Sequence, residues 1–254
     1  MRTATLALLA LLIATATIVV ACAAPDPGAA ARDNAAARAR IETIVASADR
    51  SDADRKNDAR RDPADLIAFT GVRPGMTVLD VSAGGGYTTE LLARAVAPGG
   101  RVYAQTPRPP SPTLAARLQQ PVAADVTSVV RPFESAPPPE AAGKLDLVTL
   151  MFNYHDMGHL GVDRTRLNAA IFAALKPGGS YVIADHSGRA GTGISESGTL
   201  HRVEESLVRR EVEAAGFRLA AEGSFLRNPN DPRDRQEPDP PQPKDEFVLR
   251  FVKP

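Results

Sequence analysis

Apolar and polar residues alternate in blocks along most of the chain, and the blocks follow two rhythms. Short apolar runs of strand length fall at residues 77–81, 102–104, 126–130, 145–152, 181–184, 217–226 and 246–252. Between them lie stretches with a helical period. Leu167, Ile171 and Leu175 recur every fourth position behind Asp163, a residue suited to capping a helix start. Val203, Leu207, Val208 and Val212 give residues 201–215 one apolar face, which Gly216 ends. Pro63 predicts a helix start before residues 64–70, and Ser111-Pro112 predicts another before 113–119. A helix over 87–96 begins directly after a run of glycines. Seven strands alternating with helices imply an α/β fold, a doubly wound and mostly parallel sheet with helices on both faces. The run at 145–152 is apolar almost throughout, as a strand buried on both faces requires.

The N-terminal part breaks this rhythm. Met1-Arg2-Thr3 carries one positive charge, and residues 4–21 carry none. That pattern predicts a signal peptide, with an uncleaved membrane anchor as the alternative. Val19-Val20-Ala21-Cys22 resembles the lipobox of bacterial lipoproteins, which implies that Cys22 is lipidated and becomes the mature N-terminus. Cys22 is the only cysteine in the chain, so a disulfide within it is excluded. Residues 1–22 are thus expected to be a leader, 23–50 a tether with an N-terminal helix, and 51–254 the folded domain. The composition of 23–36 predicts a flexible tether, and Ile41, Ile44 and Val45 predict a helix over 37–47. The expected location is the periplasmic side of a bacterial membrane, held by a lipid rather than a spanning helix. With 30 basic and 30 acidic residues the net charge is zero, which gives no footprint for nucleic acid.

The most informative stretch is Val78-Leu79-Asp80-Val81-Ser82-Ala83-Gly84-Gly85-Gly86-Tyr87. A strand stops in a glycine turn and a helix begins at once, so a ligand can meet bare backbone at a helix N-terminus. A dinucleotide fingerprint would need its third glycine at Thr89, so that reading fails. Together with Leu175-Lys176-Pro177-Gly178-Gly179 and the order of elements, the stretch resembles the class I S-adenosylmethionine-dependent methyltransferases over roughly residues 62–254. The resemblance implies a Rossmann-like methyltransferase sheet of seven strands with an antiparallel C-terminal strand, and S-adenosylmethionine as cofactor. It implies that Asp80 is the motif's acid, that Gly84 and Gly86 are its second and third glycines, and that Ser82 replaces the first. A side chain at Gly84 or Gly86 is expected to fill the space where cofactor meets turn. The family usually carries an acid at the end of the second strand to hold the ribose, and Gln105 stands there instead. A neutral amide in place of a carboxylate costs about 1 kcal/mol, roughly fivefold to tenfold in affinity. The charge run at 52–62 reads most simply as a solvated face. The family's habit of laying this segment over the cofactor makes Arg55, Asn57 and Arg60 candidate contacts.

Ligands in such sheets bind beyond the carboxyl ends of the strands. Tyr154-His155-Asp156 follows the fourth strand there, Asp185-His186 follows the fifth, and His201-Arg202 opens the next helix, with His159 close behind His155. Methyl transfer displaces at a sulfonium methyl, so the protein must align the nucleophile and take its proton when it has one to lose. His155 is the first candidate for general base, Asp156 for orienting it or binding substrate, and His186 the second base. The plain structural alternative is that these side chains bond loop backbone. No ligand spacing marks a metal site, although His155, His186 and Asp185 could supply two imidazoles and a carboxylate. Tyr154 is expected to line the pocket floor. Phe-Asn-Tyr-His-Asp at 152–156, Ala-Asp-His at 184–186 and Leu-His-Arg at 200–202 resemble a set of predicted bacterial methyltransferases. Two functions stand: an exported methyltransferase acting on a small molecule, and an accessory or binding lipoprotein that keeps the fold without the chemistry. The second is favoured by the absent ribose acid and by the cytoplasmic origin of S-adenosylmethionine.

Overall fold

The structure, a computed structural model, describes residues 27–254. The expected leader, with Cys22 and its lipobox, lies outside the described residues. Helix α1 runs Pro27–Val45. It starts ten residues before the helical period at 37, so the tether expected over 27–36 is helical; a run rich in alanine favours that outcome. Helix α2 (Asp52–Arg61) is capped by Ser51, whose side chain accepts from the Asp54 amide, and α3 (Pro63–Thr70) follows Asp62.

The sheet then begins. Strand β1 is Thr77–Val81, α4 Tyr87–Val96, β2 Arg101–Thr106, α5 Pro112–Arg117 and β3 Val126–Val130. Strand β4 is Leu145–Met151, α6 the single turn Asp156–His159, α7 Arg164–Ala174 and β5 Leu175–His186. Helix α8 (Glu205–Ala214), β6 (Arg218–Gly223) and β7 (Glu246–Val252) complete the chain. The spatial order is β3-β2-β1-β4-β5-β7-β6. The first five strands pair parallel, and β7 inserts antiparallel between β5 and β6. This is the expected seven-stranded Rossmann-like sheet.

After α1, two boundaries depart furthest from expectation. Helix α8 starts at Glu205, because the apolar Val203 forms a parallel bridge with Ser187 instead of joining the helix. Strand β5 begins at Leu175, which pairs with Leu145 before the register shifts and resumes at Ser180.

Alternate residues of each strand feed opposite cores, as strand geometry demands. Leu79, Val81, Val148 and Leu150 pack with Leu167 and Ile171 of α7 and Val208 and Val212 of α8. Val78, Val102 and Leu147 pack with Ile41 of α1, Leu66 and Ile67 of α3 and Leu91 and Leu92 of α4. Among the described residues no helix is long and apolar enough to cross a membrane.

Asp80 fixes the strand end that carries the glycine turn. Its two carboxylate oxygens accept from Thr89 of α4 at 2.6 Å and from Thr149 of β4 at 2.8 Å. Burial pushes its pKa up to about 6, against the lowering effect of the two hydroxyls. The folded protein therefore holds this proton more tightly than the unfolded chain does. Stability from Asp80 is full below the unfolded value near 4, falls as pH rises to about 6, and is flat above. An amide can satisfy both threonines without carrying charge. Asp80→Asn is therefore expected to abolish this slope and to raise stability above neutrality by on the order of 1–3 kcal/mol, read from urea midpoints across pH.

Candidate cofactor and substrate site

The turn after β1 is built from three left-handed residues, Ser82 (φ 58°), Gly84 (φ 58°) and Gly86 (φ 83°). Ser82 is the one of them with a side chain, and two bonds hold it in that costly conformation. Its amide donates to Gln105 Oε1 at 2.9 Å, and its hydroxyl donates to Asn153 Oδ1 at 2.5 Å. Gly84 and Gly85 are exposed, and among the described residues their amides donate to no protein acceptor. Gly86 is buried: a Cβ there would lie 2.8 Å from Arg117 Cδ and 2.9 Å from Leu114 Cδ1. Gly86 thus makes room for α5 and not for a ligand, which corrects the expectation for that position. A Cβ at Gly84 would lie 3.8 Å from Ser82 O, an ordinary contact, so its positive φ alone penalises a side chain.

Gln105 is corrected too. Its side chain is fully buried, and both polar ends serve the fold, Oε1 on Ser82 and Nε2 donating to Arg131 O at 2.6 Å. Strand alternation instead turns Thr106 to the side of Ala104, which packs with Ala83 and Leu114 beside the turn. Asp80, with both oxygens engaged, positions the turn rather than touching a ligand.

Helix α2 roofs this region. Asp54 pairs with Arg117 at 2.8 Å, and Arg117 also meets Glu90 and Gly85 O. Asp58 accepts from Arg50 at 2.7 and 2.8 Å and from the Tyr87 hydroxyl at 2.6 Å. Arg61 then reaches between the turn and the end of β4, its guanidinium 4.6 Å from the Phe152 ring centroid and 5.2 Å from that of Tyr87. Among the described residues its buried Nε has no hydrogen-bond partner. Burial and the neighbouring Arg60 pull its pKa down to about 10, so it stays charged at neutral pH. Of the expected contacts in this segment, Arg60 bridges Glu246 at 3.4 Å, Arg55 donates to Ser47 O at 2.6 Å, and Asn57 is exposed. The inward face of α2 is Asp54, Asp58 and Arg61, a spacing of four and three that the sequence itself displays.

The strand-end rim gathers the expected histidines. Asp185, fully buried, accepts from the His155 amide at 2.7 Å and lies 2.6 Å from His155 Nδ1. His155 Nε2 stands 3.1 Å from Asp156 Oδ1, and His201 Nδ1 stands 3.1 Å from the same oxygen. The other oxygen of Asp156 accepts from Asn153 Nδ2 at 2.6 Å. One connected path therefore runs from Ser82 through Asn153 and Asp156 to His155 and Asp185. Burial lowers the His155 pKa, but the Asp185 and Asp156 carboxylates outweigh it and raise it to about 9. At neutral pH this ring holds its proton, which does not suit the general base expected of it. Burial pushes the Asp156 carboxyl up, and bonds from His155 and His201 bring it down to about 2. His186 is neutral, pushed down to about 3 chiefly by burial. Its Nδ1 lies 2.8 Å from Glu246 Oε1 without the alignment of a hydrogen bond. Tyr154 is buried in the core, donating to Glu211 at 2.6 Å, and does not line the site. A broad hollow at the opposite end of the sheet, lined by Thr77, Arg101, Asp125 and Lys144, brings together no comparable set.

Residues 78–179 match the family described as a methyltransferase domain. The chain therefore carries a methyltransferase domain over that stretch. A stretch of 39 residues is 66% identical to a protein-L-isoaspartate O-methyltransferase of Aeropyrum pernix, and it spans 15% of this chain and 15% of that enzyme. An S-adenosylmethionine-dependent methyltransferase from Aquifex aeolicus superposes with a TM-score of 0.60 at 18% identity, covering 85% of this chain and 98% of the other. The cyclase SpnF superposes with a TM-score of 0.58 at 19% identity, covering 80% and 82%. At these identities the structures share the fold.

The methyltransferase domain's cofactor is S-adenosylmethionine, and the residues present fit it at two points. Exposed backbone at Gly84 and Gly85 can meet the adenosyl portion, and the unpaired Arg61 offers a cation to the amino-acid carboxylate. The ribose end is less well served, since no carboxylate closes β2. The two glycines separate fold from binding in a testable way. Gly86→Ala is expected to cost about 1–3 kcal/mol of stability by overpacking against α5. Gly84→Ala is expected to cost roughly 1 kcal/mol through its positive φ but to weaken cofactor binding more, as thermal melts and calorimetry on both variants would show.

Proposed function

We propose that this chain binds S-adenosylmethionine against Gly84 and Gly85 and directs its methyl group to a small-molecule nucleophile held over the ends of β4 and β5. The observation that carries the reading is the exposed turn whose Gly84 and Gly85 amides meet no protein acceptor among the described residues, flanked by a charged arginine that forms no ion pair among them. The bound cofactor supplies an activated methyl group; the chain's residues do the placing. Arg61 anchors the amino-acid end. Ser82 and Asn153 tie the turn to Asp156, so the rim and the cofactor turn hold one relative position. Asp156, His155 and His201 orient the acceptor, since alignment is the main demand of a direct displacement. The leader at 1–22 and the lipobox support an exported protein tethered through Cys22.

The absence of a carboxylate at the end of β2 favours a second reading, an accessory lipoprotein that binds the cofactor or a relative of it without transferring methyl. Production of S-adenosylhomocysteine from S-adenosylmethionine with envelope small-molecule extracts separates the two. Turnover that disappears in Gly84→Ala supports the enzyme, and binding without turnover supports the accessory protein. Arg61→Gln is expected to weaken S-adenosylhomocysteine binding tenfold to about a hundredfold with the fold intact, the worth of one charge-assisted hydrogen bond. Unchanged affinity would remove Arg61 from the site. Mass spectrometry of the mature N-terminus is expected to find a lipidated Cys22, and an unmodified terminus elsewhere would contradict the anchor.

A further inference from the structure

The histidine rim contains a side-chain set whose donor atoms, beyond orienting an acceptor, converge as the ligands of an ion do. His155, Asp156 and His201 each present one ligand atom, and the three atoms lie within 4.8 Å of one another. Two of the distances fit a coordination shell as well as they fit polar contacts. His155 Nε2 and His201 Nδ1 are each 3.1 Å from Asp156 Oδ1. Donors bound to one ion at about 2.0–2.2 Å lie roughly 3–3.5 Å apart. His159 Nδ1 stands 3.8 Å from the same oxygen, although it also lies 3.0 Å from Ser197 Oγ.

The groups behind these ligands are arranged as metal sites arrange them. A ligating histidine commonly gives its other ring N–H to a carboxylate, which fixes its tautomer and aims the free nitrogen. His155 does this with Asp185, 2.6 Å from Nδ1 and wholly buried. Nε2 then stands 3.1 Å from a carboxylate oxygen, and the positive charge this contact requires can be the ring's own proton or a metal ion that displaces it. Asp156 is aimed as well, since its second oxygen takes the Asn153 amide at 2.6 Å. His201 holds a left-handed backbone, φ 52°, and the next residue, Arg202, is locked by Ser187 O at 3.0 Å and Asp231 at 2.9 Å. Strain of that kind persists where surrounding structure over-determines it, as at ligand clamps. Asp156 and His201 are partly open to solvent, so an ion here would keep free positions.

We propose that His155 Nε2, Asp156 Oδ1 and His201 Nδ1 bind a divalent transition-metal ion of the zinc, cobalt or iron(II) type. Two imidazoles with one carboxylate favour such ions over magnesium and calcium, which take oxygen ligands. The site does not depend on the methyl-transfer reading, because it would bind its ion whether or not the cofactor is used.

The test is titration of the full-length chain, purified in detergent without a histidine tag, with zinc by calorimetry and with cobalt(II) by visible absorption. The expected result is one ion per chain at micromolar affinity or tighter, with the intense cobalt bands of a four- or five-coordinate nitrogen–oxygen site. His201→Gln, at a partly exposed position, is expected to weaken binding at least tenfold. Asp185→Asn is expected to weaken it tenfold to about a hundredfold with the ligands intact. Circular dichroism melts exclude loss of fold in either variant. No binding up to millimolar zinc, or unchanged affinity in His201→Gln, would overturn the proposal and leave a proton as the charge between His155 and Asp156.

Discussion

The path from Ser82 to Asp185, three hydrogen bonds and the His155–Asp156 ion contact, is the constraint on which the site depends. It joins the ends of β1, β4 and β5, three strands adjacent in the sheet. Ser82 gives its hydroxyl to Asn153, Asn153 gives its amide to Asp156, and Asp156 faces a His155 ring braced by Asp185. Each member has a bond on both sides, so none can rotate without leaving a neighbour unmatched. That rigidity supports Ser82 and His201 in left-handed backbone, a conformation shared by Phe152 (φ 57°), the neighbour of Asn153. Non-glycine residues at such angles cluster where function demands a fixed geometry.

Around this path the protein divides its work between two kinds of charge. Paired charges lock α2 in place, through Asp54 with Arg117 and Asp58 with Arg50. Arg61, which forms no ion pair among the described residues, keeps its charge for the site itself. The arginine is flanked by aromatic rings in place of carboxylates, which preserves its charge for an incoming anion while covering its apolar stem. The roof therefore belongs to the binding surface as much as to the fold.

The fold was legible in the sequence because its signals are local. Apolar runs bounded by glycine or proline placed β1, β3, β7 and α4 at their observed limits. The helix start at Glu205 was not legible, since Val203 fits a helical period yet pairs with Ser187, and only tertiary structure decides between them. The glycine turn was found, but the roles within it were not. Gly84 and Gly86 look alike in sequence, and only the approach of Arg117 and Leu114 shows that one serves packing. Gln105 stands beside Thr106, and strand alternation alone determines which of them turns toward the ligand side. Arg61 was missed in favour of Arg55, Asn57 and Arg60, although Asp54, Asp58 and Arg61 carry the spacing of one helix face. His155 and Asp156 were found as a pair, while Asn153, which links them to Ser82, becomes visible only when β1 and β4 lie side by side.

A crystal structure of the chain grown with saturating S-adenosylhomocysteine tests the central claim most directly. The account predicts the adenosyl group against Gly84 and Gly85, with the amino-acid carboxylate on Arg61. Ligand bound elsewhere, or an empty turn at saturation with Arg61 unmoved, would contradict it.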